Sequence, residues 1–76
     1  MFKDFEVDMA KVVIGSLVMF EGDLGVTVET VTRIAPAGVN GVALYTSPRT
    51  WHTVNAVTGR RMYQDGFDVV GINGNF

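Results

Sequence analysis

The sequence predicts an all-β domain of five or six short antiparallel strands, and three observations carry that prediction. Residues 26–34, "VTVETVTRI", alternate with a period of two and are dominated by β-branched side chains, which suit a pleated, half-buried surface. Residues 11–20, "KVVIGSLVMF", form a short, almost wholly apolar run that Gly15 interrupts. Turn residues then recur at close intervals through Gly22 and Gly25, Pro36 to Gly41, Pro48, Gly59 and Asp65-Gly66. Short strands punctuated in this way belong to β-sandwiches and barrels.

Each element follows from its residues. The first ten fit a helical stripe through Phe2, Phe5, Met9 and Val12, and equally an alternating strand through Phe5, Val7 and Met9. No N-terminal cap marks a helix, so a strand or extended arm is expected, with a short helix as the alternative. The apolar run at 11–20 is a strand, and Gly15 marks a bulge or bend in it. A tight turn at 22–25 leads into the second strand, 26–34. Pro36, Gly38, Asn40 and Gly41 make 35–41 a loop. Residues 42–46 read as a strand, 47–49 as a turn with Pro48 at its second position, and 50–57 as a strand. Gly59 supplies a turn at 58–60. A short strand at 61–63, an Asp-Gly hairpin turn at 64–66 and a last strand at 67–72 follow. Residues 73–76 are expected to be a loose tail. Val13, Leu17, Val26, Val28, Val42, Leu44, Val54, Val69 and Ile72 are the expected core.

Composition bounds the rest. With 76 residues the chain is one domain, and a chain of that length buries only about 60% of its unfolded surface. Charged residues are 18% of it, fewer than the roughly 25% usual in globular domains, so covering by a partner or a second copy is expected. There is no cysteine, which removes disulfides, thiolate metal sites and cysteine nucleophiles. That absence favours an intracellular, cytoplasmic setting. The acidic N-terminus does not read as a signal peptide. The longest uncharged apolar stretch, 12–20, is far short of the roughly 20 residues of a membrane-spanning helix, so no membrane association is expected.

One stretch resembles a known family. In "IGSLVMFEGDLGVTVETV" (14–31) a glycine precedes the strand, a valine follows at the third position, two glycines break the chain and a β-branched strand resumes. Gly15, Val18, Gly22, Gly25, Val28 and Val31 carry a resemblance to the strand–turn–strand of small SH3-like barrels of the KOW and Tudor kind, over 18 of the 76 residues. The resemblance implies a small SH3-like barrel. Its loop departs from the family, because Glu21 and Asp23 stand where a basic residue is usual. They would repel phosphate, so an RNA-binding role does not carry over.

Catalytic and metal chemistry find little footing. His52 is the one histidine, and neither Ser16 nor Ser47 sits in a nucleophile-elbow pattern that would pair with it. The acids around the 22–25 turn do not have calcium-loop spacing, and no Lys-Ser/Thr follows a glycine loop as phosphate binding requires. No enzyme activity, cofactor or metal is therefore expected.

The charge pattern says more. Residues 1–29 hold six acids and two lysines, residues 30–64 hold Arg33, Arg49, Arg60 and Arg61 with no acid, and residues 65–76 add two acids. Within the basic stretch lies an arginine–aromatic constellation: Tyr45, Arg49, Trp51, His52, Arg60, Arg61 and Tyr63. Arginines beside aromatics are frequent protein–protein hot spots, and on small β-domains they also hold single-stranded nucleic acid. The net charge of −2 disfavours nucleic acid. The expected function is a non-enzymatic binding or adaptor protein docking on another protein, in the style of small virus- or phage-encoded accessory proteins acting on a host factor. A nucleic-acid-binding module and a self-assembling subunit are the alternatives, since an acidic third beside a basic one is self-complementary.

Overall fold

The structure, a computed structural model, describes residues 7–74. Asp8 opens it by capping a short 3-10 turn, Met9–Lys11, its carboxylate accepting from the Ala10 amide at 3.1 Å. This local bond competes with extended pairing and turns Met9 into the core. The extended arm expected over the first ten residues is thus a turn at 9–11, while its first six residues lie outside the described part.

Six strands follow: β1 (Leu17–Gly22), β2 (Gly25–Thr30), β3 (Arg33–Ala37), β4 (Gly41–Ser47), β5 (Thr50–Asn55) and β6 (Asp68–Ile72). They form two three-stranded antiparallel sheets, ordered β2-β1-β6 and β3-β4-β5. No α-helix occurs among the described residues. β1 and β2 close through Asp23 and Leu24, with Gly22 opposite Gly25; Gly25 adopts φ +145°, a value that glycine tolerates at little cost.

The strand expected over 26–34 is split. The Val31 amide donates to Ser16 C=O at 2.9 Å, and the next amide, Thr32, donates to Tyr45 C=O at 2.7 Å. Consecutive residues therefore serve different sheets, and the chain bends between them. After the bend the chain continues as β3 into the region expected to be a loop. Pro36 sits there opposite Val42, and β3 is an edge strand, where a residue without an N–H costs no ladder bond.

On the far side the sheets meet through Gly59–Met62. Arg60 C=O accepts from the Asn55 amide at 2.8 Å, the Met62 amide donates to Thr53 C=O at 3.2 Å, and Gly59 C=O accepts from the Val69 amide at 2.8 Å. The expected strand at 61–63 is reduced to a single bridge between Arg61 and Val54. Asn73 is bonded to the start of β1. Its side-chain oxygen accepts from the Leu17 amide at 3.1 Å, and its own amide donates to Leu17 C=O at 2.6 Å. Residues 75–76 lie outside the described part.

The core lies between the sheets and contains Met9, Val12, Val18, Phe20, Val31, Leu44, Val54, Val69 and Ile72, with Val42 packed against it. The expected Leu44, Val54, Val69, Ile72 and Val42 belong to it. Val13, Leu17, Val26 and Val28 do not; all four are exposed. The reason is strand phase. Val18 faces Glu29 and Phe20 faces Thr27 across the β1–β2 ladder, and directly opposed residues share a face. Val18 and Phe20 point inward, so Leu17, Val26 and Val28 are turned out.

Candidate functional site

The outer face of β3-β4-β5 carries a ladder. Arg33, Tyr45 and Trp51 are directly opposed across the three strands. Tyr45 C=O is bonded to the Thr32 amide on the β3 side, so Tyr45 and Trp51 form a non-hydrogen-bonded pair, whose side chains stand closest. Their ring centroids are 5.2 Å apart. The Arg33 guanidinium carbon lies 4.4 Å from the Tyr45 ring centroid, within cation–π range. Trp51 remains 51% exposed. Tyr45 and Trp51 are among the site residues expected from the sequence; Arg33 is not. A register count could have found it, since Ala37 opposite Gly41 across the 38–40 turn also sets Arg33 opposite Tyr45.

The other expected site residues are dispersed. Arg49 is exposed at the β4–β5 turn and Arg60 after the bend at Gly59; neither forms an ion pair with a described residue. Arg61 is drawn inward. Its guanidinium donates to Asp23 at 3.1 Å, to Gln64 C=O at 3.2 Å and to Asp68 at 3.4 Å. The hydrogen bonds to Asp23 and then Asp68 hold its pKa above the ordinary arginine value. Tyr63 is 63% exposed and lies off the ladder.

His52 faces the opposite way from Trp51, as alternation along β5 demands. Its ring is held between Phe20 and Phe67, with centroids 4.2 Å and 4.8 Å away. Its Nε2 donates to Glu29 at 3.1 Å. Burial raises the pKa of Glu29, but hydrogen bonds from Thr46, Thr27 and His52 outweigh burial and hold it below the ordinary glutamate value. The Glu29 carboxylate also borders a hollow of about 520 Å³ with Thr30, Thr32, Thr46, Ser47 and Thr50.

A second hollow, of about 370 Å³, opens beside β5 and is lined by Trp51, His52, Thr53, Tyr63, Asp65 and Phe67, with Gly66 closing it. Among the described residues Asp65 is the only carboxylate there, and no lysine or arginine lines it.

Both serines accept from backbone amides. Ser16 Oγ accepts from the Val13 amide at 2.9 Å, and Ser47 Oγ accepts from the Arg49 amide at 3.4 Å. Among the described residues no three metal-ligating side chains gather to hold an ion, and no helix is long and apolar enough to cross a membrane. Comparison of the chain with models of known families, with curated proteins and with solved structures gave no match in any of the three.

Proposed function

We propose that the protein is a non-enzymatic binding or adaptor module that docks on another protein through the outer face of β3-β4-β5. The observation that carries this reading is the Arg33–Tyr45–Trp51 ladder, a stacked cation and two rings left accessible on a three-stranded face. Tyrosine, tryptophan and arginine are the residue types that dominate binding energy at protein interfaces, and here one sheet fixes all three. The engagement of His52 with Glu29 rather than with a serine supports the non-enzymatic part. On this reading the protein is an accessory protein of the virus- or phage-encoded kind, and its docking partner is the host factor that it modulates.

We also read the architecture as a small SH3-like barrel. Supporting this are the β2–β3 path bent between the sheets and the bonds of Gly59–Met62 to both β5 and β6.

Self-assembly is the second reading, favoured by the apolar outer face of β1 and β2, where Leu17, Val26 and Val28 are 40%, 51% and 46% exposed. The deciding experiment is an affinity capture from the native host with the wild type, Trp51→Ala and Arg33→Ala. Loss of a stoichiometric protein with both variants, each still folded by circular dichroism, supports docking; unchanged capture rejects it. A dimer by light scattering that Val28→Lys dissolves would favour self-assembly.

A further inference from the structure

We infer that the edge of β5 at Trp51 and Thr53, with the hollow beside it, accepts an extended peptide segment as an added strand, and that the hollow takes a lysine or arginine side chain of that segment. This deepens the protein-docking reading and rests on it.

Backbone direction decides what the edge of β5 can accept. Along β5 the odd-numbered residues turn their backbone groups away from β4. Asn55 donates to Arg60 C=O at 2.8 Å, and Thr53 C=O accepts from Met62 at 3.2 Å. Tyr45 spends its carbonyl on Thr32 rather than on Trp51. By the period of two, the Trp51 N–H and C=O and the Thr53 N–H also point off the edge of the sheet.

Among the described residues, Arg60–Met62 alone covers that edge, and only its C-terminal half. Past Met62 the chain turns away, the Gly66 amide closing back on Tyr63 C=O at 3.0 Å. The hollow of about 370 Å³ opens where the chain departs. An edge of this kind is a template for strand addition, in which main-chain bonds give affinity and pockets for alternate side chains give selectivity. The hollow's wall sets the selectivity. Tyr63 and Phe67 offer aromatic surface, and among the described residues Asp65 supplies the one carboxylate and no cation competes for it. Aromatic rings and a carboxylate together favour a cationic side chain.

The test uses the full chain and a displayed library of random linear peptides of about ten residues, long enough to span the open edge. Selected peptides are expected to share a lysine or arginine. Binding them should slow hydrogen exchange at the Trp51 and Thr53 amides by about tenfold or more. Asp65 is exposed, so Asp65→Lys should leave the fold intact and weaken those peptides by about tenfold. Selected peptides that leave both amides exchanging as before, while Arg33→Ala abolishes their binding, overturn the edge site and leave docking on the sheet face standing. Failure to select any peptide overturns the edge site, and the host capture then decides the docking reading separately. Protection of both amides in the free protein, rising with concentration alongside a dimer, overturns it by making the occupant a second copy.

Discussion

His52 on β5 and Glu29 on β2 meet across the two sheets, the imidazole Nε2 lying 3.1 Å from the carboxylate. The contact is shielded, with the histidine side chain only 10% exposed. It places an acid whose pKa is lowered on folding between the two halves of the molecule.

The sign of the resulting pH dependence follows. Glu29 ionises more readily in the folded chain than in the unfolded one, so its contribution is fully present above the ordinary glutamate value of about 4.3. That contribution is lost as pH falls from there through the depressed folded value. Thermal melts of the wild type and Glu29→Gln at pH 7, 5, 4 and 3 should show the difference between them narrowing as the pH falls below about 4.3. At neutral pH the variant should be less stable by about 1 kcal/mol. A difference that widens toward acid would contradict the assignment.

The phase of β1 and β2 makes a second prediction, read from a pair of variants. Val28→Thr changes an exposed side chain and should shift stability by no more than about 0.5 kcal/mol. Val18→Ala empties a fully buried position and should cost about 2 kcal/mol. Urea denaturation of both variants decides it, and equal costs would mean the strand faces are misassigned.

Gly59 supplies a third. Its φ is +76°, and an added Cβ would lie 3.1 Å from both Val69 Cβ and Met9 Sδ. Gly59→Ala combines an unfavourable backbone with crowding at the point where the connecting segment bonds β6. Its expected cost is about 2–3 kcal/mol, seen as a lower urea midpoint. Gly74, also at positive φ but with nothing within 4 Å of an added Cβ, serves as the comparison and should cost less.

The ladder supplies the fourth. Trp51→Ala should reduce stability by only about 1 kcal/mol, because it removes one half-exposed cross-strand pair. Its effect on partner capture should be far larger. Trp51→Phe keeps a ring against Tyr45 and should retain part of the binding, measured by titration calorimetry once the partner is in hand. Full retention of affinity in Trp51→Ala would remove the ladder from the interface.

Strand content was legible because β-branched alternation and glycine turns are local signals, and most expected strands overlap those found. Faces were not. Val26 and Val28 look like the buried set of an alternating strand, yet their parity is decided by pairing with β1, where Phe20 and Val18 claim the interior. The bend at Val31–Thr32 was hidden for a related reason, since no glycine or proline marks it. It arises because adjacent amides find acceptors in different sheets. Of the expected site, Tyr45 and Trp51 come together, because a two-strand register fixes them. Arg61 is lost to Asp23 and Asp68, and those bonds join residues up to 38 positions apart, beyond any local pattern.

The capture of Arg61 by two carboxylates also sorts the molecule electrically. It ties one mid-chain guanidinium to the acidic sheet, where Glu21, Glu29 and Asp68 already lie, and leaves Arg33 and Arg49 as the charges of the other sheet. A body charged in this way would feel a torque as well as an attraction near an acidic surface, turning its β3-β4-β5 side toward it. Added salt, whose screening length is about 8 Å at physiological strength, would blunt that orientation and slow arrival. The lifetime of the complex, set by contacts already closed, would change far less.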